Sequence, residues 1–218
     1  EKLEIIIDQQ VGLITNPTGV TSKLVPTVDK FYNHPAIDLV ALFGPEHGVR
    51  GNISAGEKVK SKIDQKTGVP VYSLYGATEK PTEQMLQNVE VLVYDIQDIG
   101  SRSYTYIYTM AYAMEAAAEQ EIPFVVLDRP NPLGGNLVEG PVLKEEFKSF
   151  VGRYPIPYIY GLTCGELARL FNKEFDINCK LRVIKMKGWH RDMKFNETGL
   201  QWVPTSPHIP HWETALLY

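Results

Sequence analysis

Apolar residues gather along this chain in runs of five to seven, each ending in glycine, proline or charge, with stretches of helical spacing between them. Val11–Thr15 is stopped by Asn16, Pro17, Thr18 and Gly19, a turn composition. Ile37–Phe43, Val69–Leu74, Val89–Tyr94, Ile122–Leu127 and Leu181–Met186 repeat the pattern. Ile37–Phe43 is apolar on both parities, as a strand covered on both faces requires. Between the runs, the spacing predicts helices over Lys23–His34, with Pro26 confined to the first turn, from Pro81 to about Gln87, and over Tyr104–Gln120. The last of these sets Ile107, Met110, Ala111, Met114, Ala117 and Ala118 on one core-facing side. Thr163 and Glu166 form a capping box ahead of Leu167, Leu170 and Phe171, and Lys144–Val151 is weakly helical. Strand and helix in alternation predict an α/β fold with a mostly parallel sheet and right-handed crossovers.

Asn52–Thr67 breaks the alternation. Lys58, Lys60, Lys62 and Lys66 recur there without period, which reads as a surface flap whose lysines are solvated. The 218 residues suffice for one substantial core. A hydrophobic fraction of 44% and a formal charge of -4 give no electrostatic case for nucleic acid or an anionic membrane as partner. No run of 18 apolar residues offers a membrane span. Cys164 and Cys179 have neither zinc spacing nor disulfide density and read as core thiols. The start at Glu1 and the apolar finish at Ala215–Tyr218 are expected of a segment cut from something longer.

The chemistry concentrates where strands end. Leu39–Phe43 empties into Gly44, Pro45, Glu46, His47, Gly48, Val49, Arg50 and Gly51, a carboxylate, an imidazole and a guanidinium within five positions and with little competing bulk. Val89–Tyr94 delivers Asp95, Gln97, Asp98, Ser101, Arg102, Ser103, Tyr104 and Tyr106, and Ile122–Leu127 delivers Asp128, Arg129 and Asn131. In a parallel sheet these outlets share one rim and converge on one pocket. Glu139 lies before a Gly-Pro turn, as a turn ligand or a pocket residue. Tyr154–Tyr160 interleaves aromatic residues with proline, either as an extended wall for a ligand, with Tyr160 at its end, or as packing. His208 and His211 belong to an aromatic, proline-rich segment able to cover a site.

Neither dinucleotide nor P-loop glycine patterns occur, nor a GxSxG elbow or HExxH, and no cofactor is expected. A divalent metal held by Asp95, Asp98 and His47 is one alternative, although the spacing matches no specific metal motif. Paired acids across a glycosidic bond fit better, one protonating the leaving oxygen while the other activates water or stabilises positive charge at the anomeric carbon.

VGLITNPTG, ALFGPEHGVRG, LVYDIQDIGSRSYTY, VLDRPNPLGG, VEGPVL and TSPHIP together resemble the signatures of the DUF1343 family, the exo-acting β-N-acetylmuramidases of the NamZ type. The resemblance implies a Rossmann-like, three-layer domain with helices on both faces over residues 1–187. A loop-rich segment, 188–218, would lead into a C-terminal domain absent from this chain, which completes the cleft. It implies release of terminal N-acetylmuramic acid from the non-reducing end of peptidoglycan-derived muramyl saccharides, by a bacterial protein that is periplasmic or secreted at full length. Motif by motif it implies Glu46 as catalytic acid and Glu139 as second carboxylate, with Asp95 as a further catalytic candidate. His47, Arg50, Asp98, Arg102, Tyr104, Asp128, Arg129, Asn131, Tyr160 and His208 become expected substrate-binding residues, and Arg50, Arg102 and Arg129 are the named receptors for the lactyl carboxylate. The family's SPNIP segment has histidine at His208 in place of asparagine; if that asparagine contacts the substrate, the local hydrogen bonding and its pH response would differ. A wall-fragment binding module without turnover, or a metal-assisted hydrolase on the same scaffold, are the competing readings.

Overall fold

The computed structural model describes residues 4–51 and 62–218. Seven strands form one sheet in the order β3-β4-β2-β1-β5-β6-β7, with β1 Gln10–Thr15, β2 Asp38–Gly44, β3 Lys62–Ile63, β4 Pro70–Ser73, β5 Val91–Asp95, β6 Phe124–Leu127 and β7 Leu181–Ile184. Every pairing is parallel except the short β3–β4 edge. Helix α1, Thr27–Tyr32, lies on one face; α2 Glu83–Leu86, α3 Tyr106–Glu119 and α4 Cys164–Glu174 pack on the other. This is a three-layer, Rossmann-like α/β fold.

Side-chain parity explains the two cores. Val11, Leu13, Leu42, Val91, Val93 and Val125 turn to one face and meet Val28 and Phe31 of α1. Their neighbours Ile14, Phe43, Leu92, Tyr94 and Val126 turn to the other and meet Met110, Met114, Leu167 and Phe171. Packing is tight at Gly12 of β1, where an added Cβ would lie 3.0 Å from both Leu92 and Val89. The capping box of α4 forms as expected, Thr163 Oγ1 accepting from the Glu166 amide while the Glu166 carboxylate accepts from the Thr163 amide.

Several elements differ from the periodicity. The first helix begins at Thr27, not Lys23, because residues 19–27 pair with themselves: the Thr21 amide donates to Val25 O and the Thr27 amide to Gly19 O, leaving Pro26 as the cap. Lys144–Val151 contributes only a three-residue 3-10 turn, Glu145–Phe147. Lys66 pairs with Asp29 at 2.5 Å, and Lys62 starts the edge strand; residues 52–61 of the expected flap, with Lys58 and Lys60, lie outside the described residues. Residues 188–218 carry two 3-10 turns, Phe195–Thr198 and Trp212–Leu216, and bury Thr205 beneath Tyr104 and Tyr106. No helix among the described residues is long and apolar enough to cross a membrane.

Candidate active site

Parallel pairing brings the ends of β1, β2, β5 and β6 to one rim. Thr15 pairs with Asp95, Ile14 with Phe43 and Tyr94, and Tyr94 with Val126, so the loops that follow start side by side. Most of their charge is spent on holding the rim together. Asp95, 2% exposed, accepts from Arg129 Nε at 2.7 Å and from Thr27 Oγ1 at 2.5 Å, and Arg129 Nη2 donates to Val20 O. Asp128 accepts from the Gly165 amide at 2.8 Å and Thr163 Oγ1 at 2.9 Å, which ties β6 to the start of α4; burial raises its pKa against those bonds. Asn131 bridges the Leu133 amide and Leu162 O.

Asp98 is turned inward. Its Oδ2 accepts from the Gly100 amide and the Tyr160 hydroxyl, while Oδ1 has no hydrogen-bond partner among the described residues. Burial pushes its pKa up to about 6, opposed by the Tyr160 hydroxyl and the amides of Gly100 and Ile99. Arg102 Nη1 donates to Pro141 O and Ile156 O at 2.7 Å each, with its guanidinium over the Tyr158 ring. Arg50 is held by Asp29 and Asp64 at 2.9 Å each, and Arg50, helped by Thr67 and opposed by burial, lowers the Asp64 pKa to about 2.

Glu46 stands apart from these locked groups. It is half-buried in the loop after β2, next to His47 in the left-handed region at φ 70. The Tyr75 hydroxyl lies close to it, and burial together with that carboxylate raises the Tyr75 pKa. Its charge also acts on Tyr106 and Tyr218. Tyr104 meets Tyr106 and Tyr218 edge-on at 4.9 and 5.5 Å, and its hydroxyl donates to Thr205 Oγ1. An accessible carboxylate beside tyrosine rings and hydroxyls is suited to protonating the bridging oxygen of a bound sugar, whose apolar faces stack on aromatic rings. A second exposed acid, Glu139, is carried by main-chain pairing with Ile159, which also bridges Ser101 at the start of the β5 outlet.

Residues 11–213 match the family described as exo-β-N-acetylmuramidase NamZ, N-terminal. The chain belongs to the NamZ N-terminal family. It is 61% identical over 210 residues to the peptidoglycan β-N-acetylmuramidase NamZ of Bacillus subtilis, a match covering 96% of this chain and 51% of that protein. Two crystal structures of DUF1343 family proteins from Bacteroides fragilis share the fold. One is 56% identical with a TM-score of 0.93, covering 99% of this chain and 55% of its own; the other is 35% identical with a TM-score of 0.86, covering 100% and 57%. The chain thus spans about half the length of the relatives it matches.

In this NamZ-family chain Glu46 and His47 lie in the loop after β2 and Tyr104 in the loop after β5, while Arg50, Arg102 and Arg129 are held by partners of their own. Asp98 and Tyr160 face each other in the interior, and His208 is exposed on the covering segment. A cavity of about 660 Å³ opens beside the Asp95–Arg129 pair, lined by Phe31, His34, Met186 and Trp189 among others. A cavity of that size is large enough for a sugar. Its acids, Asp95 and Asp128, are already hydrogen-bonded, however, and Glu46 is not among its walls. Asn16, Tyr75 and Thr205 are neighbours of these tyrosines and of Glu46 that sequence reasoning passed over, while Tyr106 was already among the polar residues of the β5 outlet. Asn16 reads as a turn residue, and Tyr75 and Thr205 reach Glu46 and the tyrosines only through the fold.

Proposed function

We propose that this chain is the acid-bearing half of an exo-β-N-acetylmuramidase that hydrolyses terminal non-reducing N-acetylmuramic acid from peptidoglycan fragments, with Glu46 as general acid. The observation that carries the reading is the contrast along the rim: Asp95, Asp98 and Asp128 are fixed by internal donors, whereas Glu46 is half-buried beside tyrosines. Glu46 donates its proton to the glycosidic oxygen as the bond to the anomeric carbon breaks. Glu139, an exposed acid, activates water or supports positive charge at that carbon. Asp95 and Arg129 act from behind, fixing the β5 and β6 outlets. The remaining half of a family-length protein closes over this rim and completes the cleft, and its wall-fragment substrate places it in the periplasm or outside a bacterial cell. Likeness to the Bacillus subtilis enzyme supports the reading.

The test uses a protein of full family length and a muramyl-glucosamine disaccharide. Wild type releases N-acetylmuramic acid, and NMR of the first anomer formed reports retention or inversion. Glu46→Gln abolishes release while circular dichroism and the unfolding temperature stay unchanged. Unchanged turnover removes Glu46 from the mechanism. Binding without product from the wild type makes the protein a binding module, and loss on chelation restored by one divalent ion makes it a metal-assisted hydrolase.

A further inference from the structure

Tyr75 is the first of a line of aromatic rings that leads away from Glu46. Its hydroxyl lies beside the carboxylate, and its ring centroid is 6.3 Å from that of Phe150. Phe150 is in turn 6.3 Å from Tyr112 of α3, with the two ring planes only 13° apart. Arg153 holds its guanidinium 4.5 Å from the centre of the Tyr112 ring and donates to Glu115 at 2.7 Å, one helical turn further along α3, which fixes the guanidinium in place. Tyr75, Phe150 and Tyr112 are each half-buried, so the line is reached from solvent. At its far end a cavity of about 710 Å³ opens, walled by Tyr112, Phe150, Arg153 and Phe175. On the other side of Glu46 the rings are sealed, with Tyr106 at 1% and Tyr104 at 6% exposure. The charged walls of the cavity, Lys148 and Arg153 against Glu174 and Asp176, balance. Aromatic faces inside a border of balanced charge suit a neutral, hydroxyl-rich molecule, whose C–H faces lie on the rings while its hydroxyls meet the charged groups. A polyanion would find no net positive field there.

We propose that this groove is a subsite for the leaving saccharide chain: the units beyond the scissile bond lie along Tyr75, Phe150 and Tyr112, and Arg153 at the far end hydrogen-bonds their hydroxyls. The proposal rests on the reading of Glu46 as acid toward the terminal glycosidic bond. A general acid protonates the leaving oxygen, so the leaving chain starts at Glu46 and continues over an accessible surface that adjoins it. The Tyr75 side supplies such a surface, and the buried Tyr106 side does not. Each step from ring to ring is about the length of one sugar unit. A disaccharide, whose leaving group is a single sugar, therefore ends near Tyr75, and only a longer fragment reaches Phe150 and Tyr112. The groove makes the enzyme sensitive to the length of the fragment that it trims.

The test uses a protein of full family length and the N-acetylated glucosaminyl-muramyl-glucosamine trisaccharide, the chain left after one release from a tetrasaccharide, which has no terminal muramic unit to lose. Calorimetry shows the wild type binding it, with binding weakened about fivefold in Tyr112→Leu, the scale of one ring contact. Tyr112→Phe keeps the ring and binds as the wild type does, which guards against a variant that merely disturbs α3. In turnover, Tyr112→Leu lowers the ratio of kcat/KM on the tetrasaccharide to kcat/KM on the disaccharide by a similar factor, through KM. Absence of trisaccharide binding, equal binding by wild type and Tyr112→Leu, a loss as large in Tyr112→Phe, or an unchanged substrate ratio overturns the proposal. The underlying reading fails separately: Glu46→Gln that still releases N-acetylmuramic acid removes the acid assignment, while the trisaccharide titration needs no turnover and still reports on the groove.

Discussion

Arg129 Nε lies 2.7 Å from Asp95 Oδ1 across the adjacent ends of β6 and β5, with the carboxylate 2% and the guanidinium 16% exposed. Two residues read from sequence as pocket groups thus complete each other. Removing one partner strands a charge in a place that water barely reaches. Arg129→Leu is expected to lower stability by about 3 kcal/mol or more, the usual scale for breaking rather than replacing a buried pair, as measured by urea unfolding. Asp95→Asn keeps acceptor and shape and costs less. A loss below 1 kcal/mol in Arg129→Leu would show that the pair does not hold the rim.

Asp98 makes stability fall as pH rises. Its carboxyl has a folded-state pKa of about 6 against 3.8 when unfolded. Between those values the folded protein keeps a proton that the unfolded chain releases, so stability declines as pH increases through that window and stays lower above it. The shift corresponds to on the order of 3 kcal/mol. Asp98→Asn removes the titration, so the difference in unfolding free energy between variant and wild type should change by roughly that amount, in the variant's favour, from pH 4 to pH 7. A difference independent of pH would mean that the carboxyl is not desolvated.

The same residues show what the sequence discloses. The sheet was legible because Ile37–Phe43 and its counterparts are apolar on both parities, which only a doubly covered strand requires, and strand ends marked the rim. The partners of rim charges were not legible. Asp95 meets Thr27 and Arg129, 68 and 34 positions away, and Arg50 meets Asp29 and Asp64 through the packing of α1 and the β3–β4 edge. Spacing along the chain records none of these distances. The hook that delays α1 to Thr27 depends on Val20 bridging Pro26, again a pairing without a local signal.

Arg50 governs acid resistance. Asp64 has its pKa lowered to about 2, chiefly by Arg50 and helped by Thr67 against burial. A depressed folded pKa contributes stability that is full above the unfolded value near 4 and is lost as pH falls toward 2. Arg50→Met is expected to cost about 2 kcal/mol at neutral pH and to move acid unfolding to higher pH, followed by tryptophan fluorescence. Because Arg50 anchors the loop carrying Glu46, turnover should fall as well. Normal acid tolerance in the variant would place the clamp elsewhere.

Tyr75 separates positioning of the acid from the packing around it. Its ring is half-buried and its hydroxyl lies beside Glu46, so Tyr75→Phe deletes one oxygen and leaves the apolar contacts with Phe150 in place. Without that donor the Glu46 carboxyl is free to rotate away from the glycosidic oxygen. Loss of one neutral-to-charged hydrogen bond is worth roughly 1.5–3 kcal/mol, and we expect kcat to fall by about tenfold or more in a protein of full family length, with KM and the unfolding temperature little changed. A rise in KM at constant kcat would instead make the Tyr75 hydroxyl a contact of the bound sugar, and Glu46 would owe its orientation to the left-handed turn at His47 alone.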